Sequence, residues 1–178
     1  MSLNGLLAIL TLSLFAVFCN VHGSDANRDK LIKEVFNSVD QQMHEQYQSK
    51  CFATGGAMMT DIKTLEMSLW VQDAVTIDEA RDIMVTFTEL FLEAVNENPD
   101  LRPYLANFPF QPDNLGLMVA FLNEDCSKTV EPEVSSVILA NGTIYYAANA
   151  LESIFVSNDL QTETYDEALL IFKTGRKE

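Results

Sequence analysis

The sequence predicts an α+β domain: a mainly antiparallel sheet of about four strands with helices packed on one face, in the order α-β-α-β-β-β-α. Three observations predict it. Residues 63–71 alternate, with Leu65, Met67, Leu69 and Val71 on one side and Thr64, Glu66, Ser68 and Trp70 on the other; period two with one mostly polar face is a half-buried strand. Asn141-Gly142 separates two β-rich runs, 134–140 and 143–148, and suits a type I′ hairpin turn because both of its positions need positive φ. Thr76…Glu79 and Thr164…Glu167 are capping boxes, in which the threonine hydroxyl accepts an orphan backbone N–H and the glutamate reaches back to the cap.

The elements follow in order. Leu31, Ile32, Val35, Phe36, Val39 and Met43 recur at helical spacing and predict a helix over 27–49. Residues 51–56 break that pattern, with Gly55-Gly56 as a loop signal. After the 63–71 strand, Ile77, Ala80, Ile83, Met84, Phe87, Leu90, Phe91 and Ala94 form a wide apolar stripe. That helix stops near Asn96, because Pro99 disfavours helical geometry in Asn98. Residues 101–113 are irregular and interleave Leu101, Tyr104, Leu105, Phe108 and Phe110 with three prolines. So apolar a loop packs on the body of the protein. Residues 115–122 are apolar on both faces, which suits a central strand. Residues 123–127 read as a turn, and 152–161 fit either a short strand or irregular chain. A last helix runs to about Phe172, with Ala168, Leu169 and Phe172 inward and Gly175 as its stop. No repeat or linker divides the chain.

Residues 1–23 carry no charged side chain, and 6–18 are an apolar run. Val21 and Gly23 occupy the –3 and –1 positions of a cleavage site. The expectation is a signal peptide over 1–23, cleaved near Gly23-Ser24, and a single domain over 24–178 that is secreted or periplasmic. The apolar run is short for a membrane span and no second one of about 18 residues follows, so no integral span is expected in the mature chain. The net charge of −15 repels phosphate, which argues against nucleic acid and anionic membrane surfaces and permits a basic partner. Cleavage removes Cys19 and leaves Cys51 and Cys126. In an oxidising compartment the two are expected to form a disulfide, with two free buried thiols as the alternative.

Catalytic chemistry finds little purchase. Only His44 remains after cleavage, and it falls off the apolar stripe of the first helix, facing solvent. One histidine and two cysteines do not build a zinc site or suggest a triad, and no GxSxG, Walker or GxGxxG pattern occurs. No catalytic residue, metal or cofactor is expected. Spacing does not single out a carboxylate pair among 26 acids, and Asn123-Glu124-Asp125 lacks the glycine and bidentate glutamate of a calcium loop. Asn141-Gly142-Thr143 is a formal glycosylation sequon, which the hairpin turn explains equally. The candidate ligand- or partner-binding residues are Trp70, Arg102, Tyr104, Phe108 and Phe110. Trp70 is expected to pack beneath a helix, with a contact role as the alternative. The aromatics of 104–110 either shape a groove or plug one end of the core, and Arg102 is expected to meet a carboxylate or a carbonyl.

The segments TIDEAR at 76–81, NENPDLRPYL at 96–105, FPF at 108–110 and ETYDEA at 163–168 resemble a family of small uncharacterised exported proteins of intracellular bacteria such as chlamydiae and legionellae. The resemblance covers roughly Gly55 to Phe172 and implies no catalytic residue. The function expected is an exported, non-enzymatic protein-interaction module at the envelope or a host interface. The alternative is a carboxylate-dependent hydrolase with a pocket near the 101–110 loop.

Overall fold

A computed structural model describes residues 26–123, 134–148 and 158–175. The expected signal peptide, Glu124-Asp125 of the acidic turn, and Cys126 lie outside the described residues. The described residues divide into two compact units, one up to Glu34 and the other from Val35 onward. Helix α1 covers 26–47. Its portion in the first unit buries Leu31 and Ile32 and carries a surface Lys30–Glu34 pair at 3.6 Å.

In the second unit six strands form one sheet in the order β1-β2-β3-β4-β5-β6. They are β1 Lys50–Ala57, β2 Thr64–Gln72, β3 Leu115–Leu122, β4 Ser136–Ala140, β5 Thr143–Ala148 and β6 Asn158–Thr164. Helix α2, Ile77–Asn96, lies between β2 and β3, and α3, Tyr165–Gly175, follows β6. The architecture is α+β, but the expected sheet of about four antiparallel strands is corrected. Among the described residues there are six strands, in the order α-β-β-α-β-β-β-β-α. The sheet is mixed, because β2 and β3 run parallel while every other pair is antiparallel.

Each difference has a physical reason. Parallel strands need a long crossover, and α2 supplies it: β2-α2-β3 is a βαβ unit inserted among hairpins. The segment read as a Gly-Gly loop is β1. Gly56 has φ +149°, and a Cβ there would sit 2.3 Å from the Thr64 carbonyl oxygen. The glycine thus permits close approach of two backbones inside a ladder rather than a chain reversal. β6 pairs with β5 through residues 158–164, so the described part of the ambiguous 152–161 run is strand, while 152–157 lie outside the described residues.

Register puts the core on one face. Leu65, Met67, Leu69 and Val71 of β2 lie beside Leu115, Leu117, Val119 and Phe121 of β3, and Leu117 and Val119 beside Leu139 and Val137 of β4. All of these are buried. Each such side chain contributes about 1.5–3 kcal/mol relative to exposure. Ala80, Ile83, Met84, Phe87 and Phe91 of α2 are buried, and Phe91 meets Phe36 of α1 edge-on with centroids 5.7 Å apart. The Thr76 cap forms as the sequence predicts, with Thr76 N–H donating to Glu79 Oε2 at 2.8 Å and Glu79 N–H to Thr76 Oγ1 at 3.3 Å. The second box repeats it at Thr164 and Glu167. At the hairpin Asn141 has φ 48° and Gly142 φ 70°, the positive pair a type I′ turn demands. Among the described residues no helix is long and apolar enough to cross a membrane.

Candidate functional site

The alternation that buries one face of the sheet exposes the other. Residues one step out of phase with the core lie on this outer face: Ser68, Met118, Ile138, Tyr145 and Thr162 are register partners across β2 to β6. Tyr145 is exposed, and Met118 and Ile138 are half-buried. The next row, Ala120, Ser136 and Ala147, is buried. The open part of the face is therefore that aliphatic-aromatic row together with the β1-β2 end of the buried row, where Trp70 is the register partner of Ala120.

At that end Trp70 is 45% exposed and Phe52 43%. Their rings stack with centroids 5.0 Å apart at 28°, an offset geometry that adds about 0.5–1.5 kcal/mol to area burial. A register shift between Cys51 and Ala53 leaves Phe52 as the extra residue of a bulge. A bulge of this kind re-aims a side chain, and here the Phe52 ring meets Trp70. The expectation that Trp70 packs beneath a helix is thus corrected: the helices cover the opposite face. Lys50 is the register partner of Trp70. Gln48, Lys50, Trp70, Gln72 and Leu122 line a cleft of about 360 Å³. Among the described residues β1 is an edge strand paired with β2 alone, and most of its residues are exposed.

The 101–110 loop is divided between the two roles considered for it. Phe110 is 1% exposed and plugs the core, its backbone N–H and carbonyl both bonded to the Asn96 amide at 2.7 and 3.0 Å. Phe108, across the cis Phe108-Pro109 bond, is exposed and carries the Arg102 guanidinium 3.7 Å from its ring centroid. Arg102 thus meets an aromatic face rather than a carboxylate or carbonyl. Tyr104 is half-buried and its carbonyl accepts the Ile62 N–H at 2.8 Å. The structure brings Arg102 and Phe108 together, sends Phe110 inward and places Trp70 on a different surface, so the five candidates do not form one site.

His44 is exposed, as expected, and its Nδ1–H donates to the Ser49 carbonyl at 2.8 Å. Cys51 carries a free, half-exposed thiol raised above its ordinary pKa by burial and then by the charge of Asp40. Among the described residues no three His, Cys, Asp or Glu side chains converge as metal ligands. A second, polar cleft of about 400 Å³ lies between Asp113, the Asn141-Gly142 turn and Thr164–Asp166.

One polar cluster was not foreseen. Arg81 Nε donates to Glu163 Oε1 at 2.7 Å, Arg81 also bonds Asp78, and Tyr146 Oη donates to Glu163. Arg81 and Glu163 are only 6% and 7% exposed. Burial first, then the Glu163 carboxylate, raises the Tyr146 pKa. Burial alone lowers that of Arg81, but its bonds to Glu163 and Asp78 outweigh this and raise it. These charges face one another inside the sheet–helix interface, tying α2 to β5 and β6, which is a fastening rather than a reactive arrangement. Arg81 was legible as a cation within the stripe of α2, beside Ala80 and one turn from Met84; Glu163 was not, because its strand was unassigned. No protein-family model, curated protein or solved structure matches the chain.

Proposed function

We propose that the chain is an exported, non-enzymatic protein-interaction module, acting at a cell envelope or host interface, that meets its partner with the outer face of the sheet. The observation that carries this reading is the stacked and half-exposed Phe52–Trp70 pair. Aromatic residues concentrate binding energy at protein interfaces, and an open apolar patch on a protein with a filled core is where a partner gains most by docking. The −15 charge favours a partner with a basic rim and speeds its approach. The alternative hydrolase near 101–110 has less support, since Arg102 is stacked on Phe108 and Phe110 belongs to the core. Export places Cys51 with Cys126 in an oxidising compartment, and a mass shift on reduction and alkylation tests their pairing.

The test of the reading is binding with purified components. A partner captured from the extracytoplasmic fraction is expected to bind the purified chain, and Phe52→Ser and Trp70→Ser are each expected to weaken it by about tenfold or more, the 1–2 kcal/mol of an interface anchor. Arg102→Ala serves as the control and is expected to leave binding unchanged. Equal binding by all of these variants contradicts the assignment of the face.

A further inference from the structure

We infer that the cleft at the head of β1 binds an apolar ligand that carries a single carboxylate. The inference rests on the outer face being a binding surface and names the chemistry it recognises there. Three observations converge. The cleft of about 360 Å³ has the Trp70 indole and Leu122 as apolar walls, room for one side chain or a short alkyl or aryl group rather than a helix. Lys50 stands opposite Trp70 in the ladder and lines the same cleft. Lys50 has no ion pair among the described residues, as is also true of Lys33, Lys63 and Lys173, in a chain with 26 acids to 11 bases. Gln48, also in the wall, has φ 53°, directly after α1 and with its N–H closing on the His44 carbonyl at 2.9 Å.

That last position is where helices end in a left-handed residue, and glycine takes it at least cost. Glutamine there is conformationally dearer; its amide Nε2 donates to the His44 carbonyl at 3.3 Å, and it lines the cleft together with Lys50. Among the described lining residues, one ammonium with two amides, an indole and a leucine in the same wall matches a monoanion attached to an apolar body. A phosphate group is a poor match, because a dianion calls for several cations and meets the full repulsion of the −15 field. The same chemistry comes from two sources: a free aliphatic or aromatic acid, or the C-terminal residue of a partner chain. In the second case the edge of β1 offers main-chain pairing beside the cleft.

Trp70 is the sole tryptophan of the chain, so its emission reads the cleft directly. The purified chain is titrated with octanoate against octanamide, and with a short peptide ending in leucine against its C-terminal amide. A saturable emission change is expected with at least one of the two carboxylates, about tenfold weaker with the matching amide, as for loss of a charge-assisted bond. Lys50→Gln is expected to erase the preference and Lys50→Arg to keep it, with unchanged circular dichroism in both. A response to octanoate alone assigns a free acid, and a response to the peptide alone assigns a chain terminus. Equal responses to acid and amide overturn the inference while leaving the outer face as an apolar surface. Absence of any saturable response also overturns it, and partner binding that is sensitive to Phe52→Ser then shows that the face itself stands.

Discussion

Arg81 and Glu163 are 82 positions apart in sequence and meet with Nε 2.7 Å from Oε1, joining the second turn of α2 to the last strand of the sheet. Both side chains are more than nine-tenths buried. A charge left alone at such a place costs about 3–5 kcal/mol. Arg81→Leu and Glu163→Leu are each expected to lose about that much stability in urea denaturation, and the double variant to lose clearly less than the sum. Additivity within about 0.5 kcal/mol would mean that the two do not interact.

Two tyrosines give the interior an alkaline signature. Burial, followed by bonds to Glu163 and Glu89 respectively, raises the pKa of Tyr146 and of Tyr165 above the ordinary 10.0. A raised value in the folded state means that their contribution is whole below pH 10 and declines as pH climbs beyond it. In a phenolate absorbance titration, two of the five tyrosines are expected to stay silent around pH 10 to 11 and to ionise only with unfolding. Five tyrosines titrating together on a folded chain contradict this.

The capping boxes work in the opposite direction of pH. The backbone N–H of Thr76 and its hydroxyl lower the Glu79 pKa below 4.5, and those of Thr164 do the same for Glu167. Depressed carboxylates stabilise above their unfolded pKa and cease to do so as pH falls through the folded value. Thr76→Ala is expected to cost about 1 kcal/mol at neutral pH, and the difference from the parent to shrink below pH 4. A difference that persists undiminished at pH 2 would place the effect elsewhere than in the cap.

The adjacent glycines of β1 separate by substitution. A Cβ on Gly56 strikes the Thr64 carbonyl oxygen, whereas the nearest atom to one on Gly55 is Glu66 Oε2 at an ordinary 3.7 Å. Gly56→Ala is expected to lower stability by more than about 1 kcal/mol, and Gly55→Ala to change it by a few tenths or raise it. Equal melting temperatures for the two variants would refute the strand geometry.

What could be read in the sequence was local. The alternation of β2, the stripe and cap of α2 and the Asn141-Gly142 turn each depend on neighbours within a few residues, and each appears where its pattern lies. The parallel pairing of β2 with β3 depends on where α2 carries the chain, which no local period encodes. β1 was hidden by Gly55-Gly56, whose turn chemistry also serves close backbone approach. In the site, Trp70 stood on the polar phase of its strand, but its exposure depends on which face the helices choose to cover. Phe108 and Phe110 flank one proline with the same side chain, and only the Asn96 amide, reached from another element, decides that the second turns inward.

The most direct measurement is acrylamide quenching of Trp70 in the folded chain. Its 45% exposure at the β1-β2 end of the outer face calls for red-shifted native emission that acrylamide quenches readily and that a bound partner protects. Blue-shifted emission that resists acrylamide until the protein unfolds would mean that the face is covered, and the interaction surface would then have to lie elsewhere.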